Sequence, residues 1–121
     1  MQSFRNFKIM VEIDNLVLEI YAITKNYPRE EIYGVVQQMR RAATSIGANI
    51  AEGAGRKTDA DFQRFLFNSM GSLKELEYFV ELSKKLGYLK EEEYSKLCKK
   101  AEIVGRMLNN FIKSLSSANG Q

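Results

Sequence analysis

The chain has 121 residues and a formal charge of +3, from 18 Lys+Arg against 15 Asp+Glu, with 45% hydrophobic and 27% charged residues. That mixture belongs to one ordinary globular domain, long enough to bury roughly two thirds of the surface its unfolded chain exposes. Histidine is absent, which excludes His-based acid–base catalysis, Ser-His-Asp triads and His-containing metal sites, and the single cysteine, Cys98, excludes structural disulfides and thiolate zinc clusters.

No apolar run approaches the roughly 20 residues of a membrane span. The first eight residues mix charge with aromatics and lack a signal-peptide core. The expectation is a cytoplasmic protein with no membrane partner, organised as one domain over residues 1–115.

In chain order, the first predicted helix covers residues 4–26. Its apolar residues fall on two faces, Ile9, Ile13, Leu16, Ile20 and Ile23 on one and Phe7, Met10, Val11, Val17, Leu18 and Tyr21 on the other. An apolar arc that wide exceeds what a bundle covers, so burial against a second copy is expected. Pro28, followed by Glu30 and Glu31, is expected in the first turn of a helix over 28–54, lined by Ile32, Val35, Val36, Met39, Ala43, Ile46 and Ile50. Thr58 and Asp61 read as a capping box opening a third helix over 58–86. Its face comprises Phe62, Phe65, Leu66, Ser69, Leu73, Leu76, Val80 and Leu86. Gly87 reads as the C-terminal cap of that helix. Lys90 to Glu93 open the fourth, over 90–115, with Tyr94, Leu97, Ala101, Val104, Leu108, Phe111 and Leu115 in line. Residues 116–121 are expected to fray. Four long helices with short joints predict an all-α, antiparallel up-down four-helix bundle.

Two polar patterns carry the functional question. In the second helix, Gln38, Arg41, Ser45, Asn49, Glu52 and Arg56 recur at spacings of three and four, forming one line over five turns among small residues such as Ala42, Gly47 and Gly53. Asn49 and Glu52 are expected to be structural, with Glu52 paired to Arg56. Arg41 and Arg56 are open between structural and phosphate-binding roles. In the fourth helix, Lys99, Arg106 and Lys113 recur every seven residues, drifting about 20° per step, with Lys96 one turn before Lys99. Such a stripe is either a solvated face or a contact to nucleic-acid phosphates. Arg40 and the Arg56-Lys57 joint complete the candidate basic set. Glu75, Glu77 and Glu81 have no histidine partner for a di-iron site, and phosphate-loop and dinucleotide fingerprints are missing. No metal, cofactor or catalytic residue is expected.

The run Arg41-Ala42-Ala43-Thr44-Ser45-Ile46-Gly47-Ala48-Asn49-Ile50-Ala51-Glu52-Gly53 follows Tyr27-Pro28-Arg29-Glu30-Glu31-Ile32-Tyr33-Gly34. Met70-Gly71-Ser72-Leu73-Lys74-Glu75-Leu76-Glu77 and the Leu86-Gly87-Tyr88-Leu89 joint come after it. Together these resemble the bacterial four-helix-bundle proteins of the 23S ribosomal RNA intervening-sequence family, over nearly the whole chain. Gly47 stands where many members carry proline, and Met10 near a position often held by tryptophan. The resemblance implies an up-down bundle assembled into a homopentameric ring and no enzymatic activity. Relatives serve as accessory variability determinant proteins of diversity-generating retroelements, with nucleic-acid and reverse-transcriptase partners. The expected function is therefore non-catalytic association with structured RNA, or with DNA, through basic residues repeated around an oligomer. The alternative is a scaffold that docks a partner protein without touching nucleic acid.

Overall fold

The computed structural model describes residues 3–118. Four α-helices, α1 (Lys8–Thr24), α2 (Val35–Ala54), α3 (Asp59–Lys85) and α4 (Glu91–Ala118), account for most of them, and no strand occurs among the described residues. A 3-10 turn at Phe4–Asn6 precedes α1, so the first α-helix is shorter than the predicted 4–26. The second departs more. Pro28 opens a separate 3-10 turn at Arg29–Glu31, and α2 begins only at Val35. Gly34 breaks the path with a backbone that is neither helical nor extended, φ −112° and ψ −115°, while the Glu31 carboxylate accepts from the Val35 amide at 3.4 Å. The acidic pair thus serves a one-turn element and the capping of the next helix.

Local signals elsewhere act as their chemistry requires. Thr58 Oγ1 accepts from the Asp61 amide at 3.1 Å, while the Asp61 side chain pairs with Arg64 at 2.9 Å. Gly87 has φ of 82°, the left-handed conformation that favours glycine. Around it the Gly87 amide donates to the Lys84 carbonyl at 3.0 Å and the Tyr88 amide to the Ser83 carbonyl at 2.9 Å, satisfying the last carbonyls of α3. The fourth helix extends past the predicted 115 to Ala118. The Gln63 side-chain amide donates to Ser116 Oγ and, at 3.2 Å, to the Ile112 carbonyl, tying that last turn to α3. Fraying from 116 is therefore corrected, since helix continues through 118, and residues 119–121 lie outside the described residues.

Cross-helix contacts define the direction of each neighbour. Ser69 Oγ donates to the Ile46 carbonyl at 2.7 Å and Ser83 Oγ to the Met39 sulfur at 3.4 Å, so α2 and α3 run antiparallel. Gln63 against Ile112 makes α3 and α4 antiparallel, and Phe7 against Phe111, with ring centroids 5.1 Å apart, does the same for α1 and α4. The Phe7, Phe62 and Phe111 rings close one end of the bundle; Tyr27 and Tyr88, 5.2 Å apart, close the other.

The core follows the predicted faces: Ile13, Leu16, Ile20, Met39, Ile46, Ile50, Leu66, Leu73, Leu76 and Leu108 are almost wholly buried. Ile112 joins them. Ile32 and Leu86, read from periodicity as core, are exposed because both lie outside the α-helices that carry the apolar faces. The α2/α3 seam is the tightest approach. A Cβ on Gly53 would fall 2.7 Å from Phe65 Cβ and 2.8 Å from Phe62 Cδ1, so glycine is required there.

Candidate nucleic-acid interface

The polar line of α2 is mostly used up within the fold. Asn49 Nδ2 donates to the Ser45 carbonyl at 2.9 Å and to Ser45 Oγ at 3.1 Å, and Ser45 Oγ pairs with Ser72 Oγ of α3 at 3.0 Å. Ser45, Asn49 and Gln38 are half-buried. Glu52 differs. Its side chain is 58% exposed and meets Arg56 at 3.3 Å, so it is a surface ion pair rather than a buried polar group.

Two arginines of the basic set are absorbed likewise. Arg40 Nε donates to Thr24 Oγ1 at 3.1 Å, and its guanidinium lies 4.6 Å from the Tyr21 ring centroid, which staples α2 to the end of α1. Arg56 lies 4.6 Å over the Phe65 ring, paired with Glu52 and, at 3.8 Å, with Asp61. Arg64, on the same ring at 4.5 Å, completes that cluster at the α2–α3 joint. Lys96 is paired with Glu19 of α1. Sequence periodicity could not reveal that pair, because its members lie on helices at opposite ends of the chain.

The remaining cations stay available. Arg41 and Lys57 are exposed and form no ion pair among the described residues, but they sit on different parts of the surface. Lys99, Arg106 and Lys113 do stand in one file down the outer face of α4, all exposed. Arg106 reaches Glu102 only at 3.9 Å, and Lys99 and Lys113 form no ion pair among the described residues. From Lys99 to Lys113 the helix advances about 21 Å, the scale of several phosphates along one strand. The structure brings these three together. It does not join Arg40, Arg41, Arg56 or Lys57 to them in a continuous belt.

A second surface feature lies on α1, α2 and their joint. Leu18 is 67% exposed, Val11 63%, Ile32 52% and Tyr33 85%. The buried face of α1 is the isoleucine one; on the second apolar face Val11 and Leu18 look outward, while Met10 and Val17 line a shallow groove with Thr44, Ala48 and Ala51 of α2.

At the α3/α4 seam the Tyr94 hydroxyl donates to the Glu81 carboxylate. That bond, with Cys98 alongside, holds the Tyr94 phenol well above its usual range. Tyr88 donates to Glu31 at 2.7 Å and is raised for the same reason. Tyr27 is raised by burial, and its hydroxyl has no hydrogen-bond partner among the described residues.

The fold and the exposed cationic file together define the class of all-α antiparallel four-helix bundles. Comparison narrows it. Residues 5–110 match the profile of the family described as 23S rRNA-intervening sequence protein. The chain belongs to that family. A crystal structure at 1.70 Å resolution, of a protein with unknown function from the S23 ribosomal protein family of Bacteroides thetaiotaomicron, aligns with a TM-score of 0.80 and 26% identity, covering 87% of this chain and 95% of that one. No curated protein matches. Gly47 and Met10 face each other: a Cβ on Gly47 would lie 3.2 Å from Met10 Cε. Among the described residues no helix is long and apolar enough to cross a membrane.

Proposed function

We propose that this chain is a non-catalytic, cytoplasmic, nucleic-acid-associated protein that assembles as a homopentameric ring and grips the phosphates of structured RNA through α4. The observation that carries the reading is the exposed file of Lys99, Arg106 and Lys113, two of whose three cations have no ion-pair partner among the described residues. Unpaired cations in register neutralise phosphates at no cost in broken ion pairs, and counterion release supplies the affinity. The exposed apolar face of α1 supports assembly, since patches of that kind mark interfaces. Repetition around a ring multiplies a file that is weak in one copy.

The test is binding of a structured RNA by the purified protein across a salt series, with light scattering on the same sample. The reading expects a species several times the 13.9 kDa chain, and affinity that falls steeply with salt and depends little on base sequence. A second reading, a scaffold docking a partner protein, is favoured by Tyr33 and Ile32, exposed at the α1–α2 joint. Assembly without RNA binding at low salt would hand it the lead.

A further inference from the structure

Between α3 and α4, outside the candidate interface, lies a cavity of about 140 Å³. Its walls are aliphatic: Leu16 from α1, Leu76 and Val80 from α3, Leu97 and Ala101 from α4. Protein interiors leave few voids larger than a water molecule, and an aliphatic cavity of about 150 Å³ stays dry and accepts a molecule the size of benzene. Ala101 helps to keep it open. It contributes a single methyl on a helix face that Leu97, Val104 and Leu108 otherwise fill with larger side chains.

The mouth has the opposite character. Glu77, Glu81 and Cys98 line it. Lys74 neutralises Glu77 at 3.1 Å, but Glu81 forms no ion pair among the described residues and is held in place by the hydroxyl of Tyr94. The other nearby cation, Lys84, is turned onto the Tyr94 ring at 3.9 Å and towards Glu91 at 3.8 Å. A mostly aliphatic pocket thus opens beside a carboxylate that has no counter-cation among the described residues.

We propose that this cavity is a binding site for a small apolar primary amine, its hydrocarbon body among the aliphatic side chains and its ammonium on Glu81. A neutral isostere would fill the same space without the charge-assisted hydrogen bond, and an anion would meet two carboxylates. The site is independent of the α4 file and stands or falls separately from RNA binding.

The experiment titrates the methyl-labelled full chain with benzylammonium, benzyl alcohol and benzoate, followed by methyl NMR. Saturable shifts are expected at Leu16, Leu76, Val80, Leu97 and Ala101. Benzylammonium should bind about tenfold more tightly than benzyl alcohol, with benzoate weakest. Ala101→Leu should abolish binding by filling the space. Glu81→Gln, at an exposed position, should leave the alcohol bound and erase the preference for the amine, so the test holds even if the Ala101 variant fails to fold. Absence of saturable shifts at millimolar ligand, shifts centred elsewhere, or an amine preference that survives in Glu81→Gln would overturn the proposal.

Discussion

Arg40 on α2 and Arg56 just past its end carry the same charge as Lys99 and Lys113 on α4, yet the first pair is bound into the fold and the second is not. The cause is what lies within reach. Helix α2 packs closely on its neighbours because its seam is made of alanine and glycine, so Arg40 and, in the joint after the helix, Arg56 lie down on Tyr21 and Phe65 and find Thr24, Glu52 and Asp61. The outer face of α4 offers neither an aromatic ring nor a close carboxylate, apart from Glu102 beside Arg106. A basic residue in a helix therefore points to a partner only where the surrounding fold has not already supplied one.

The comparison breaks most severely if the α2/α3 seam is forced open. Gly53→Val places carbon where Phe65 and Phe62 already stand, and should cost about 3 kcal/mol by denaturant unfolding. A variant as stable as the parent would mean that the seam yields easily and that the placement of Arg56 on Phe65 is incidental. Next, Arg40→Ala removes a half-buried guanidinium and leaves Thr24 without that donor, for a loss of about 1–2 kcal/mol. Arg40→Lys should recover little of it, because a point charge does not reproduce the planar stack on Tyr21. Within the polar line the same contrast recurs: Asn49→Leu should cost about 1 kcal/mol by removing the donor to the Ser45 hydroxyl and carbonyl, whereas Glu52→Leu at its exposed site should move the melt by less than about 0.5 kcal/mol.

Smaller still is the alkaline effect. Tyr27, Tyr88 and Tyr94 are raised above the ordinary phenol value of about 10. Folded protein keeps these phenols protonated where unfolded chain would lose the proton, so their contribution is full below pH 10 and declines as pH rises above it. Titration of phenolate absorbance should show three of the six tyrosines ionising late in the native state. Six phenols titrating together would remove the hydrogen bonds to Glu31 and Glu81 from the account.

Much of this architecture could be read from local chemistry. The Thr58 cap, the Gly87 reversal and the isoleucine face of α1 are decided within a few residues, and the structure places them where periodicity and capping rules do. The start of α2 was not legible from Pro28 alone, because Glu31 and Gly34 together divert the chain for one 3-10 turn before helix resumes. Likewise the pairing of Lys96 with Glu19, the tie of Ser116 to Gln63 and the cavity beside Ala101 depend on how far apart two helices settle. Spacing within one helix does not contain that distance. Lys99, Arg106 and Lys113 were visible as a file; that two of them form no ion pair among the described residues needed the neighbouring helices.

The most direct test of the central claim compares two variants in one RNA-binding salt series. Lys99→Gln, Arg106→Gln and Lys113→Gln combined should leave the melt within about 0.5 kcal/mol of the parent. They should also make the slope of log affinity against log salt shallower by about 2–3 per chain engaged, since each neutralised phosphate contributes roughly 0.7–0.9. Arg41→Gln with Lys57→Gln, which removes exposed charge elsewhere on the surface, should change that slope far less. An unchanged slope in the triple variant, or an equal change in the double one, would contradict the assignment of α4 as the phosphate-binding face.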